Sequence, residues 1–167
     1  LGEITRTLEV PSSTYIYEDF MRVFYNGNGS GPVIITAKGQ YAPQIWTRTY
    51  NQTEAGTFGQ FIPAIRIDDA GAGSAFGDGK YYLAGLRHDD RYRTNIGLVN
   101  PNSSAVNVQM RVYDDQGLPL GTFTRTLQSF QLDQFPIVSA GALGSINKAR
   151  PFSIEIEVPS GQWLIAY

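Results

Sequence analysis

The chain has a single histidine, His88, so a catalytic triad or a multi-histidine metal site would have to be built around it. His88 lies in the polar run RHDDR. There is no cysteine, which excludes thiolate catalysis and thiolate metal ligands. No serine lies in the G-x-S-x-G pattern of a nucleophile elbow. We therefore expect His88 to be a solvated loop residue, and we expect the chain not to be an enzyme.

Carboxylates in a glycine-rich stretch raise the question of a calcium site. The run DDAGAGSAFGDG contains Asp68, Asp69 and Asp78. Calcium takes about six to eight oxygen ligands, so these side chains would supply only part of the set. Aspartate in turns commonly hydrogen-bonds to the nearby backbone instead. Turn formation is thus the preferred interpretation, and calcium is the one cofactor hypothesis that the sequence leaves open.

Glu155 and Glu157 lie two residues apart in an alternating segment, which places both carboxylates on one face of a strand. A glycosidase uses a pair of carboxylates, but its general acid needs surroundings that raise its pKa. The two glutamates alternate with the apolar residues Ile154 and Ile156. We therefore expect them to face water and to act as edge charges that discourage strand addition.

Aromatic residues offer a different kind of site, because exposed rings can stack against sugars. Trp46 and Trp163 occupy equivalent positions of an internal repeat described below, so we expect both to be core residues. The tyrosines are less constrained by that argument. Four of them remain candidates for a ligand-binding surface patch: Tyr15, Tyr17, Tyr81 and Tyr82.

The strands of the predicted fold are easiest to recognise in residues 91–117. Apolar residues alternate first around Ile96 and Leu98, and then in a second row, Val106, Val108, Met110 and Val112. The segment NPNSS separates the two rows, and DDQG ends the second. Proline, asparagine and serine favour turns. The pattern predicts two strands that pair with each other as an antiparallel hairpin.

Composition supports an all-β protein and excludes some partners. Charged residues make up 17% of the chain and there are 18 glycines, which suits a loop-rich β domain. The net charge of −2 gives no basic surface for nucleic acid. The chain also has no apolar run of about 18 residues, so we expect no membrane insertion.

An internal repeat suggests how the domains are organised. The motif LGxxTRTL occurs at residues 1–8 and again at residues 120–127. Residues 33–38 then match residues 152–158, and residues 45–50 match residues 162–167. In the first copy we expect strands at residues 1–8, 33–38 and 45–50. The chain is therefore expected to hold about 1.4 copies of one unit. We predict a first β module over residues 1–67, a connector over 68–79 and a second β-sandwich module over 80–167. Because each copy of the unit is incomplete, some strand edges should lack their partner strand and stay open.

The sequence around the predicted hairpin resembles a known repeat module. GTFGQFIPA at residues 56–64, GLRHDDRYRTNIGLVNPNS at residues 85–103 and VYDDQG at residues 112–117 carry the resemblance. They are similar to patterns in repeat modules of large secreted or surface bacterial proteins. The resemblance implies an immunoglobulin-like β-sandwich and an extracellular setting, and it implies no defined activity.

These observations favour a non-catalytic structural or adhesion-type module of a larger secreted or cell-surface bacterial protein. Its expected partners are neighbouring domains or other copies of the same module, met through open strand edges. The alternative is an ancillary carbohydrate-binding domain that uses exposed tyrosines and loop Asn and Asp residues.

Overall fold

The computed structural model describes residues 5–10, 15–27, 31–39, 43–65, 79–137 and 150–167. The chain divides into two compact units, Leu1–Gly31 and Pro32–Tyr167. The first contains a short helix, α1, at Phe20–Tyr25. Asp19 and Asn26 flank α1 in the left-handed conformation, which asparagine and aspartate tolerate better than most residues.

In the second unit every described helix or strand is a strand, and all pairings are antiparallel, which confirms the predicted fold class. The strands are β1 (Trp46–Thr53), β2 (Gly56–Pro63), β3 (Gly79–Leu86), β4 (Asn95–Val99), β5 (Val106–Asp114), β6 (Pro119–Leu127), β7 (Leu132–Pro136), β8 (Phe152–Val158) and β9 (Ile165–Ala166). They form a hairpin β1-β2, a four-stranded sheet in the order β3-β8-β5-β6, and a three-stranded sheet in the order β7-β4-β9.

The two larger sheets enclose one apolar core and form a sandwich. The four-stranded sheet contributes the alternating rows that the sequence predicted: Val106, Val108, Met110 and Val112 from β5, and Phe152, Ile154, Ile156 and Val158 from β8. The three-stranded sheet contributes Ile96, Leu98 and Phe135, and the core also contains Ile137, which follows β7, and Leu164, which precedes β9. All are buried, so the period-two pattern identified the inward face correctly.

The predicted pairing of β4 with β5 is wrong. Both strands exist, but β4 pairs with β7 and β9, whereas β5 pairs with β6 and β8. The segment NPNSS therefore carries the chain from one sheet to the other. Asn100 is fully buried there, and its Nδ2 donates to the carbonyls of Ser104, Leu127 and Gln128.

The pairing agrees with an immunoglobulin sandwich at its centre and differs at its edges. If β3 to β9 are counted as strands A to G, β4–β7 and β5–β8 are the B–E and C–F pairs. The outer strands are exchanged, because β3 lies beside β8 and β9 lies beside β4. In an immunoglobulin domain strand A pairs with B and strand G with F.

The first repeat copy differs from its prediction in two described segments. Residues 5–8 and 33–38 were expected in strands, yet neither segment is in a strand. Val33, Ile34 and Ile35 have about half of their surface exposed, and a strand is not stable in water without neighbours that pair with it. Residues 45–50, also predicted as a strand, largely coincide with the first part of β1. A sandwich over residues 1–67 and the repeat count stay predictions, because residues 1–4, 11–14, 28–30, 40–42 and 66–67 lie outside the described part.

Among the described residues no helix is long and apolar enough to cross a membrane.

Candidate functional site

The outward face of the four-stranded sheet carries a group of interacting polar side chains, here called the Glu155 network. Its members are Lys80, Tyr82, Gln109, Arg111, Glu155 and Glu157. Strand register brings them together, because Tyr82 on β3 and Arg111 on β5 both lie opposite Glu155 on the central strand β8. Lys80 and Gln109 lie opposite Glu157 in the same way.

Arg111 is the centre of the network. Its Nη1 donates to Glu155 Oε1 and to Glu157 Oε2, both at 2.6 Å, and its Nη2 donates to Gln109 Oε1. The Tyr82 hydroxyl donates to Glu155 Oε2 at 2.8 Å, and Lys80 Nζ lies 3.3 Å from Glu155 Oε1. Glu155 therefore has partners on both carboxylate oxygens, which compensates a side chain that is only 6% exposed.

These contacts fix the charge of Glu155. The hydrogen bond from Tyr82 lowers the pKa of Glu155, and Arg111 and Lys80 lower it further, against the opposing effect of burial. The same hydrogen bond raises the pKa of Tyr82, because the hydroxyl proton is held by a carboxylate. An ionised glutamate with both oxygens engaged is poorly suited to be a general acid.

The interpretation of Glu155 and Glu157 as edge charges is wrong. Glu155 does not face water either, whereas Glu157 keeps 41% of its side chain exposed, as predicted. β8 is an interior strand of its sheet, and Glu155 is buried by the side chains around it. Sequence reasoning missed Arg111 and Tyr82 as its partners, since they lie 44 and 73 residues away along the chain. Two acidic residues on an inner strand, with a basic residue on its neighbour, would have been the available signal.

The β1-β2 hairpin carries a second candidate surface, here called the hairpin face. It consists of Trp46, Arg48 and Tyr50 from β1 and Gly59, Phe61 and Pro63 from β2, which lie opposite one another in register. The rings of Trp46 and Phe61 are 5.8 Å apart, and Arg48 Cζ lies 5.6 Å from the centre of the Tyr50 ring. Trp46, Tyr50 and Phe61 are 50%, 56% and 59% exposed.

The expectation that both tryptophans are core residues is therefore wrong. Trp46 is exposed on the hairpin face, and Trp163 is half-buried just before β9. The neighbour of Trp163, Leu164, takes the core position and is fully buried. Trp163 instead anchors the chain through its backbone, because its N–H donates to Asn102 Oδ1 and its carbonyl accepts from Asn102 Nδ2.

Of the four candidate tyrosines, Tyr81 and Tyr82 lie on opposite faces of β3, and Tyr15 and Tyr17 belong to the other compact unit. Tyr82 points outward and is 63% exposed, whereas the adjacent Tyr81 points the other way and packs against the core. Tyr15 and Tyr17 belong to the unit Leu1–Gly31, where their rings are 6.2 Å apart. Tyr17 also meets Phe24 of α1 edge-on at 5.2 Å.

The turn around His88 is organised by Asp89. Asp89 Oδ1 accepts from the backbone N–H groups of Arg91 and Tyr92, and Arg87 lies 3.1 Å from its other oxygen. These contacts, led by the Arg91 N–H, lower the pKa of Asp89. His88 itself is half-buried rather than solvated, and its Nδ1 has no hydrogen-bond partner within the described part of the chain.

The calcium candidates Asp68, Asp69 and Asp78 lie outside the described residues. Within the described ranges, no cluster of three or more histidine, aspartate or glutamate side chains is arranged to hold a metal ion.

Comparison with known proteins gives a structural likeness only. No protein-family model matches the sequence, and a search of curated proteins finds no match. Among solved structures, the Anabaena sensory rhodopsin transducer is similar to this chain at 12% sequence identity. The likeness covers 55% of this chain and 95% of that one, with a TM-score of 0.45. At this level it bears on neither ligand nor activity.

Proposed function

We propose that this chain is a non-catalytic structural or adhesion-type module of a larger secreted or cell-surface bacterial protein, which associates with other copies through open strand edges. The observation that carries the proposal is the hairpin face. Three large aromatic side chains lie half-exposed there on a two-stranded sheet, and such a sheet is marginally stable in water by itself. Exposed apolar surface of this kind marks interaction sites.

The charges of the sandwich support a non-catalytic role. Glu155, which could otherwise act as an acid or base, is engaged by three neighbours, and its lowered pKa keeps it ionised. The resemblance of residues 56–64 and 85–117 to repeat modules of bacterial surface proteins supports the setting. Main-chain pairing at an exposed sheet edge is an established way for a protein to bind another chain.

Light scattering of the whole chain over a concentration series tests the proposal. We expect a reversible rise in average mass with concentration, and we expect added salt to leave it largely unchanged, because the exposed surface is mainly apolar. A constant monomer mass up to the highest soluble concentration would contradict self-association.

Carbohydrate binding is the second candidate, and Tyr82 is the observation that favours it. Its ring is exposed on a polar sheet face, and its hydroxyl is fixed by Glu155, so the ring is held in place for stacking. A glycan array probed with the wild-type chain and with Tyr82→Ala tests this role. Binding that the substitution abolishes would support it, and a blank array would count against it.

A further inference from the structure

We propose that the free edge of β2 is the self-association surface, and that its occupant is β2 of a second copy of this chain, paired antiparallel about a two-fold axis. The inference rests on the self-association proposed above and adds which edge is used and what pairs with it. The strand edges that the structure describes differ in how well they are protected against the addition of another strand.

The edges of the four-stranded sheet are protected against strand addition. On the edge strand β6, Arg125 points inward with its guanidinium carbon 4.3 Å from the centre of the Phe135 ring. An inward-pointing charge on an edge strand is a known device against edge-to-edge pairing. On the opposite edge, β3 has Lys80 and a register shift between Leu83 and Leu86. Bulges and edge lysines serve the same purpose.

The edges of the three-stranded sheet are short. β9 has two residues and β7 has five, ending at Pro136, which lacks an N–H. Short edge strands offer few hydrogen bonds to an added strand.

β2 differs from all of these edges. It has eight residues, GTFGQFIP, with no charged residue among them, and among the described strands it pairs only with β1. A long, uncharged strand on an open edge presents unpaired N–H and C=O groups with which another strand can pair.

The hydrogen-bonding groups that β2 offers follow from the hairpin register. The Ala64 N–H donates to the Ile45 carbonyl at 3.0 Å, so this pair is a hydrogen-bonded one. Hydrogen-bonded and non-hydrogen-bonded pairs alternate along an antiparallel ladder. The pairs Arg48–Phe61, Tyr50–Gly59 and Gln52–Thr57 are therefore non-hydrogen-bonded. Thr57, Gly59 and Phe61 thus direct their backbone N–H and C=O groups away from β1, toward the free edge.

The edge of β2 is complementary to itself. In an antiparallel register centred on residue 60, Gly59 of one copy lies opposite Phe61 of the other, and both positions present outward-directed N–H and C=O groups. An aromatic residue opposite a glycine is a favourable cross-strand pair. At each end, Thr57 of one copy lies opposite Pro63 of the other. The Thr57 N–H can donate to the Pro63 carbonyl, and only the return hydrogen bond, which would need an N–H on Pro63, is missing.

The two-fold symmetry also places the hairpin faces of the two copies side by side. Residues opposite each other in an antiparallel pair share one face of the sheet, so the two hairpin faces become one continuous aromatic surface. The marginal two-stranded hairpin becomes a four-stranded sheet. A closed two-fold arrangement of this kind limits assembly to a dimer.

Two substitutions in the whole chain test the edge, each compared with wild type by sedimentation equilibrium. Thr57→Pro removes one outward N–H from each copy and leaves β1 pairing intact. Phe61→Lys places a charge at the edge of each copy. We expect either to raise the dimer dissociation constant about tenfold or more. Leu118→Lys is the matched control, because Leu118 has the same exposure as Phe61, 59%, and lies in the turn before β6. It should leave dimerisation unchanged.

The outcomes separate this inference from the broader proposal. A wild-type chain that stays monomeric would overturn both. Association that neither substitution weakens would overturn the β2 edge and leave self-association standing. Weakening by Phe61→Lys without any effect of Thr57→Pro would mean that the copies meet through their hairpin faces rather than through strand pairing, which also overturns the inference.

Discussion

The ring of Tyr167 lies directly against Gly97 of β4. A Cβ on Gly97 would come within 2.2 Å of Tyr167 Cζ, so only glycine leaves room for the ring in this position. The two residues also exchange backbone hydrogen bonds, with N···O distances of 2.8 and 3.0 Å. In the hairpin Tyr50 also lies opposite a glycine, Gly59, but there a Cβ would meet the Thr49 carbonyl oxygen at 2.4 Å and Tyr50 Cβ at 2.7 Å rather than a ring.

Substitution of Gly97 should therefore act through Tyr167. Gly97→Ala should displace the ring, weaken the β4–β9 contact and lower the free energy of unfolding by about 1 kcal/mol, the range of a cross-strand pair. Urea denaturation of the single and double variants measures this. In a Tyr167→Ala background the cost of Gly97→Ala should be much smaller. An equal cost in both backgrounds would show that the ring is not what Gly97 accommodates.

Asn100 should be among the most sensitive polar positions of the sandwich. Asn100→Ala leaves the carbonyls of Leu127 and Gln128 without their donor and removes the Oδ1 acceptor of Asn102. We expect a loss of about 3 kcal/mol in unfolding free energy, because several buried groups lose a partner together. Asn107→Ala is the control, since Asn107 makes an exposed hydrogen bond with Thr126 and should cost far less. Similar losses for both variants would contradict a special role for Asn100.

Protonation of Glu155 should make the sandwich less stable in acid. Its pKa is lowered in the folded state, chiefly by the Tyr82 hydrogen bond. The stabilisation is therefore present above the ordinary glutamate pKa, about 4.3, and is lost as the pH falls through the lower native value. Melting temperatures measured from neutral to acidic pH should fall less steeply for Glu155→Gln than for wild type. Tyr82→Phe should give an intermediate slope. Parallel curves for all three would contradict this assignment.

The contact between Tyr82 and Glu155 should also affect the titration of the Tyr82 hydroxyl at alkaline pH. Its pKa is raised by the hydrogen bond to Glu155, so the contribution of the contact is complete below the ordinary tyrosine pKa, about 10, and is lost as the pH rises through the higher native value. Carbon-13 NMR of the tyrosine Cζ carbons can follow the titration. Glu155→Gln should move the Tyr82 titration to lower pH. An unmoved Tyr82 titration would argue against the contact.

Arg125 should protect the β6 edge. Arg125→Val removes the inward charge from the edge strand, so we expect copies of the chain to associate through β6. The measurement is sedimentation velocity in a Phe61→Lys background, where the β2 edge is blocked. Thr124→Val, an outward-facing change on the same strand, is the control and should not promote assembly. No increase in mass for Arg125→Val would show that β6 is protected by something else.

The alternation of apolar residues was enough to predict the strands of the sandwich and their inward faces, as in β5 and β8. It was not enough to predict which strands pair. The turn residues of NPNSS suit a hairpin and a crossing between sheets equally well, and the difference depends on Asn100, whose acceptors Leu127 and Gln128 lie far along the chain. Glu155 was misjudged for the same reason, since its burial depends on side chains from β3 and β5.

The crossing between β4 and β5 has a mechanical consequence. β3 and β5 both run antiparallel to β8, and β9 runs antiparallel to β4. Because the chain reverses direction as it passes from β4 to β5, β3 and β9 run the same way in facing sheets. The start of β3 and the end of β9 therefore lie at opposite ends of the sandwich. A pull applied between them loads the β3–β8 and β4–β9 hydrogen bonds in shear, along the strands, rather than opening them one at a time.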